Sequence, residues 1–432
     1  MKNFRYSTLA ISTVLVVAIS SQSFQCTPRR NVLEFHLDSS NVGEDVIRVL
    51  SSDEYEGRAT GSESEKNAAA YIIQTMRNIG LTPMGTSGGW TQTFTFVPHP
   101  PIKVHQVGDS TQLGMGLVKE ISGNNVIGYM DNGASSTVVI GAHYDHLGWG
   151  DENSLSNDGK PAIHNGADDN ASGVGAMLAL AAKLKTSNLK NNNYLFIAFS
   201  GEEKGLWGSN FFCKNPTISN MNYMINLDMV GRLNAERSLA ISGVGTAPSW
   251  KVALDNANTF SFKNVYSESG VGPSDHTSFY NIGIPAIHLF TGQHADYHKP
   301  TDDADKINYA GVTDITNYLF NIVSQLDDKG KLTFQRTKDE SQEAAASFKV
   351  TLGVIPDYLF GGEGMRIDGT REGKPAAKAG LKQGDIVIQL GDHKVTDMMS
   401  YMEALGKFEK GQTTVVRFIR DEKEQTANVT WE

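Results

Sequence analysis

Ser136-Thr137-Val138-Val139-Ile140-Gly141-Ala142-His143-Tyr144-Asp145-His146 is the stretch that decides the fold. Ser136–Ala142 reads as a short strand whose apolar residues do not alternate with polar ones, so both of its faces must be covered. A histidine follows at once, where the chain leaves the strand. Outward from this stretch the same pattern returns. Tyr194–Phe199, Tyr223–Leu227, Leu239–Ser242 and Ile284–Leu289 read as further buried strands. Between and after them, Ala171–Leu184, Leu206–Phe212, Trp250–Asn258 and Ile307–Leu326 read as helices. Upstream, Glu44–Leu50 and Ser62–Ile79 are helical; the second opens on Ser62 as N-cap with Glu65 at the capping-box position and closes at Gly80. The alternation predicts an α/β fold with a mixed, mostly parallel central sheet covered by helices on both faces. Residues 85–115, rich in Gly, Pro and Thr, read as loop with short strands.

Residues 31–326 therefore form one unit. Residues 327–347 (DDKGKLTFQRTKDESQEAAAS) are polar and charged and read as a linker. Residues 348–432 differ in character, with short strands such as Thr413–Arg420 set between Gly turns, and have the size of a small second, β-rich domain.

The N-terminus pairs Lys2 and Arg5 with an apolar run from Leu9 to Ile19, and Ser21-Gln22-Ser23 offers a small-x-small cleavage site. Residues 1–23 thus read as a signal peptide and the chain as exported, to a periplasm or outside the cell. Cys26 follows the apolar run as a lipoprotein cysteine would, but Gln25 stands where a small residue is usual; a lipid anchor through Cys26 is the alternative. Cys213 is the other cysteine of two, too few for a disulfide framework. A net charge of -10 argues against nucleic acid, which calls for a basic face.

Five residues stand at strand ends or on Gly-rich turns with side chains that bind metals: His143, Asp169, Glu203, Asp228 and His298. In open α/β sheets the carboxyl ends of the strands hold the site. Each residue has a bland reading. His143 serves equally as a loop histidine, and Asp145 two residues on could orient its imidazole. Asn165–Gly175 (NGADDNASGVG) serves equally as an Asx turn and helix cap. Glu202 and Glu203 at Phe199–Gly205 could favour a helix N-terminus, or divide metal binding and proton transfer between them. Asp228 ends another apolar strand, where a carboxylate needs a cation or donors. His298 lies in a polar loop beside Tyr297.

Taken together and in this order, the five resemble the two-zinc exopeptidase superfamily that includes bacterial leucine-type aminopeptidases, glutamate carboxypeptidases and glutaminyl cyclases. The resemblance covers residues 31 to about 330, including Glu56–Ser62 (EGRATGS). It implies two zinc ions, with cobalt or manganese as substitutes. His143 and Asp228 would hold one ion, Glu203 and His298 the other, and Asp169 would bridge them. Glu202 would be the general base, Asp145 would support His143, and Tyr297 would steady the oxyanion. Asp275 and His276 read as structural or pocket-lining. The implied reaction is hydrolysis of the N-terminal residue from peptides with a free amino terminus. A carboxypeptidase or dipeptidase on the same fold is the first alternative, and a catalytically inactive peptide-binding protein the second.

Lys374–Ile388 (KPAAKAGLKQGDIVI) resembles the Pro-Ala-x-x-Ala-Gly-Leu-x-x-Gly-Asp signature of bacterial PDZ domains. The resemblance implies that Leu352, Gly353 and Val354 form a loop that receives a peptide C-terminus or a partner protein. The Gly-rich Asp357–Gly364 departs from the pattern, and a packing module that binds nothing is the alternative.

Overall fold

Val138, Ile140 and Ala142 pack into one hydrophobic cluster and Val139 into a second, so the strand quoted above is covered on both faces, as its composition predicts. Its neighbours divide the same way. Tyr194, Phe196 and Ala198 face the larger cluster, whereas Leu195, Ile197 and Phe199 face the smaller one. The computed structural model describes Met1 and residues 41–96, 103–107, 110–114, 120–150, 153–156, 160–337, 350–356, 360, 362–370, 373–396 and 398–432. The expected signal peptide beyond Met1, Cys26, residues 338–347 of the expected linker and the first two residues of the expected second domain lie outside the described residues.

The strands of the large sheet are β1 (Thr82–Pro83), β2 (Thr91–Phe96), β5 (Ile121–Met130), β6 (Thr137–His143), β7 (Asn193–Phe199), β8 (Met221–Leu227), β9 (Ser238–Ser242), β10 (Lys263–Ser267) and β11 (Ala286–Phe290). A separate hairpin, β3 (Lys103–Val107) with β4 (Ser110–Gly114), interrupts the series. The sheet runs β1-β5-β7-β6-β8-β11-β9-β10, with β2 also on β5. Its centre, β7-β6-β8-β11, is parallel. The β1, β2 and β7 pairings with β5, and that of β11 with β9, are antiparallel. The sheet is mixed as expected; besides its centre the outer β9–β10 pair is parallel, and the antiparallel pairings lie at β5 and between β11 and β9. Strand β5 accounts for most of them. It carries Gly123, Asn124 and Asn125, so it does not read as an apolar strand, yet it crosses the sheet antiparallel beside β7.

Helices α1 (Val42–Leu50), α2 (Glu63–Ile79), α3 (Gly173–Lys185), α5 (Ser249–Ala257) and α7 (Tyr309–Leu326) bury their apolar sides in the larger cluster; α4 (Trp207–Lys214) and α6 (His276–Asn281) contribute Phe212 and Phe279 to the smaller. Ser62 Oγ accepts from the Glu65 N–H, as the capping box predicts. The Glu65 carboxylate does more than close that box. It accepts from the N–H of Gly61 and Asn124 and from the hydroxyls of Tyr144 and Ser200, and so ties α2 to three other segments.

The linker begins later than its polarity suggests. Leu332 joins the large core, Asp327 is buried and accepts from Asn191, and the Gln335 N–H bonds the Thr246 carbonyl. Residues 327–337 thus lie along the α/β unit. The C-terminal region has its own core around Leu352, Val387, Phe418 and Trp431. Its sheet comprises β12 (Val354–Pro356), β13 (Met365–Thr370), β14 (Ile386–Leu390), β15 (His393–Lys394), β16 (Thr413–Arg420) and β17 (Lys423–Thr430), with α8 (Pro375–Lys378) and α9 (Met398–Leu405).

One buried cation fixes the loops at the carboxyl end of the large sheet. Arg58, fully buried, donates from Nε to Tyr144 O (2.7 Å), from Nη1 to Leu50 O and Asn165 O, and from Nη2 to Gly166 O (3.0 Å). Burial pulls its guanidinium down to about 10, against the pull of Asp169 and Asp145, so it stays charged near neutrality. Replacing it with Met should leave these carbonyls without donors and lower stability by ~3–5 kcal/mol. Urea-induced unfolding measures this, and an unchanged midpoint would show that the loops hold without it.

Candidate metal centre

The chain leaves β6 toward β7 on one side and returns past it to β8 on the other, which opens a crevice at the carboxyl ends of the strands. His143 ends β6. Glu202 and Glu203 follow β7, and Asp228 follows β8. Asp169 lies on the turn into α3, where the Asp169–Asn170 peptide bond is cis, and His298 comes from the loop after β11 with a φ of 54°. The structure brings all five sequence-predicted ligands together.

Asp169 stands at the centre. Its Oδ1 lies 3.3 Å from His143 Nε2, and its Oδ2 lies 3.2 Å from His298 Nε2. His143 Nε2 is also 3.3 Å from Asp228 Oδ1, and His298 Nε2 is 3.2 Å from Glu203 Oε2. Ligands at about 2.0–2.1 Å from a tetrahedral ion stand about 3.3–3.4 Å from one another. The two sets of contacts therefore have the edge lengths of two tetrahedra that share Asp169.

The supporting bonds are local. His298 Nδ1 donates to Asn153 O (3.0 Å), which leaves Nε2 for the crevice; the Asn153 side chain donates to Glu203 O and the Leu155 N–H to His298 O. The N–H groups of Asp168 and Asp169 donate to Asp302 Oδ2, whose other oxygen meets Arg232. Asn170 donates to Leu227 O and accepts from Met229 N–H, tying the Asp169 turn to the Asp228 loop. Asp168 accepts from Gly231 N–H and Ser172 Oγ, and so has partners separate from those of Asp169.

Asp145 differs from expectation. The bond from His143 Nδ1 goes to its main-chain carbonyl (3.2 Å), and its carboxylate Oδ1 lies 3.7 Å away. That carboxylate accepts from Thr60 Oγ1 (2.7 Å) and from the Glu202 N–H (3.2 Å), so it positions the Glu202 turn. Glu202 Oε2 lies 4.0 Å from His143 Nε2. The Tyr297 ring stacks on that of His298 with centroids 3.9 Å apart. Burial, with Asp169 and Glu203 nearby, pushes its phenol well up, so it remains a neutral donor. Asp275 and His276 are buried, and His276 stacks on His288 at 4.8 Å.

The charges are strongly coupled. Burial alone would lower His298, but Glu203 and Asp169 push it up to about 11. Burial would likewise lower His143, but Glu202 and Asp228 raise it well above its ordinary value. Carboxylates that hold protons on imidazoles so firmly would hold cations in their place. Burial, with Asp228, Asp275 and Glu203 adding to it, raises Glu202 well above the carboxylate range despite His143.

His146 is the residue that the sequence reading passed over. Its Nδ1 lies 2.7 Å from Glu203 Oε1, inside the centre. The signal was present as a second histidine three residues after His143. Arg58 and Asp302 were passed over because nothing local marks a residue that acts across more than a hundred positions.

Residues 125–323 match the model of Peptidase family M28, and residues 329–430 that of the PDZ domain. Aminopeptidase YwaD of Bacillus subtilis is 30% identical over 185 residues, 40% of this chain and 37% of its own. The aminopeptidase from Aneurinibacillus sp. strain AM-1 superposes with a TM-score of 0.52 at 18% identity, over 69% of this chain and 95% of its own. The glutaminyl cyclase of Porphyromonas gingivalis superposes with a TM-score of 0.51 at 18% identity, over 66% and 98%. The chain spans less than half the length of the first curated relatives it matches. The α/β unit is thus similar to peptidase family M28 over residues 125–323, and the C-terminal region to a PDZ domain over residues 329–430.

Proposed function

We propose that this chain is an exported, zinc-dependent aminopeptidase that removes N-terminal residues from peptides. The observation that carries the reading is the Asp169 carboxylate, whose two oxygens face two imidazoles at 3.3 and 3.2 Å, each imidazole paired with a further carboxylate. The donor set, imidazole and carboxylate with tetrahedral edges, fits two zinc ions; cobalt or manganese would suit it as well. His143 and Asp228 would hold one, Glu203 and His298 the other, and Asp169 both. When bound, the ions would polarise a substrate carbonyl and acidify water.

The rest is the work of the chain. Glu202, held by its N–H on Asp145, takes a proton from the attacking water and returns it to the departing amine. Tyr297, a neutral phenol at this site, is placed to donate to the developing oxyanion. Asp228, Glu202 and Glu203 make the crevice acidic, which suits a substrate ammonium. Arg232, the cation on the adjoining loop, is engaged by Asp296 and Asp302 and does not favour a substrate carboxylate. Trp149, 53% exposed on the loop that begins after His146, would meet substrate side chains at the mouth.

The apolar run Leu9–Ile19 supports export. In the PDZ domain, β12 pairs with β13 and is the edge of its sheet among the described residues. Gly353, at a φ of 72°, turns the chain into β12, and an added Cβ there would meet Lys374 at 2.2 Å. A peptide would add as a strand along Val354–Pro356, with its C-terminus near Leu352-Gly353-Val354.

Three outcomes follow. Purified protein should contain about two zinc ions per chain by mass spectrometry and release p-nitroaniline from aminoacyl-p-nitroanilides in a chelator-sensitive way. Metal without release would move the reading to a carboxypeptidase or dipeptidase, and neither would leave a binding protein. Glu202→Gln should lose about 10²–10⁴-fold in kcat while keeping its metal, and full activity would remove Glu202 as the base. Stripping the metal should lower the unfolding free energy by ~2.7 kcal/mol for each site relative to protein with free zinc at 100 times that site's Kd, and an unchanged midpoint would count against a metal centre.

A further inference from the structure

We infer that His146 is a positioning residue for the second metal position: it holds Glu203 Oε1 so that Oε2 alone faces the ion. The inference rests on the two-metal reading above and adds a residue to it.

The distances decide between a ligand and a support. His146 Nδ1 lies 2.7 Å from Glu203 Oε1 and 3.8 Å from Asp169 Oδ2. Two ligands of one tetrahedral zinc stand about 3.3–3.4 Å apart. The first separation is a hydrogen bond, too short for a ligand pair, and the second is too long. His298 Nε2, at 3.2 Å from both Asp169 Oδ2 and Glu203 Oε2, already has the ligand geometry. The two oxygens of Glu203 therefore have separate partners. A carboxylate that faces a cation with one oxygen accepts through the other, so His146 Nδ1 is the donor of the 2.7 Å bond.

The ring has little freedom to do anything else. It is fully buried and stands edge-on to the His298 ring, with centroids 5.7 Å apart. Gly166, at a φ of 55°, passes so close that an added Cβ would lie 2.6 Å from His146 Cγ and Cδ2. Its main-chain N–H bonds Arg58 O, and residues 59 and 146 form a β-bridge. His146 Nε2 is buried with no hydrogen-bond partner among the described residues, which places the ring's one polar engagement at Nδ1.

The test compares His146→Asn, whose amide can donate from near the Nδ1 position, with His146→Gln, which is closer to histidine in volume but carries its amide further out. Zinc affinity is read by competition with a chromophoric chelator, and coordination by the visible spectrum of the cobalt-loaded protein. Wild type should bind two ions. His146→Gln should keep one at wild-type affinity and lose about 10–100-fold at the other. His146→Asn should stay within a few-fold at both, with an unchanged cobalt spectrum. Unfolding midpoints of the metal-free proteins check that both variants fold. Equal affinities in wild type and His146→Gln would overturn the inference, as would a His146→Asn as weak as His146→Gln. A changed cobalt spectrum in His146→Asn would make His146 a ligand and overturn it too. Wild type that binds no second ion would remove the two-metal reading itself, a result independent of either variant.

Discussion

The structure depends on the mutual repulsion of carboxylates that have been brought together out of water. Asp145, Asp168, Asp169, Asp275 and Asp302 are buried, and the side chains of Glu202, Glu203 and Asp228 are largely covered beside them. A desolvated carboxylate costs far more than the packing around it returns unless opposite charge or donors meet it. Much of this end of the sheet answers that requirement. His143, His146 and His298 point into the cluster, Arg232 and His294 brace its outer side through Asp302 and Asp168, and Arg58 lies beneath.

Two kinds of carboxylate result. Asp168 and Asp302 are saturated by main-chain N–H groups, a hydroxyl and cations of the chain itself, and so serve as struts. Asp169, Glu203 and Asp228 each meet an imidazole at 3.2–3.3 Å and have fewer partners from the chain itself. The division is made by loops, not by strands. Asn170 reaches the Asp228 loop from the Asp169 turn, and Asn153 reaches both His298 and Glu203. The sheet sets the carboxyl ends in a row, and these cross-bonds set the final distances.

This explains how much could be read from the sequence. The central strands were legible because burial on both faces leaves an unbroken apolar run, and His143, Glu203 and Asp228 stand out because they lie at or just past the ends of such runs. Strand β5 was not, since the Asn124 and Asn125 side chains on it serve partners elsewhere: Asn124 accepts from Thr93 Oγ1, and Asn125 donates to Gly208 O. Residues 327–337 were not, since most of their polar side chains do face water and only Asp327 and Leu332 are buried against the unit. Arg58 acts on carbonyls up to 108 positions away, a relation with no local period. Asp145 was assigned to the right neighbourhood, but a sequence shows which side chain is near, not that the main-chain carbonyl takes the bond.

Glu202 and Glu203 show what such an environment can do with adjacent, chemically identical residues. Burial acts on both. For Glu203, His298 and the bond from His146 outweigh it and the neighbouring Asp169, and the group settles near 2. For Glu202, the opposing His143 is outweighed by burial together with Asp228, Asp275 and Glu203, and the group is pushed well up. Carboxyls driven apart in this way are suited to different roles, one as an anion and one as a group that can carry a proton. The difference rests on which imidazoles each side chain faces. That in turn rests on the turn after β7, where Asp145 holds the Glu202 N–H and Asn153 holds the Glu203 carbonyl. Hydrogen bonds to the main chain thus set the direction of each side chain, and direction sets its charge.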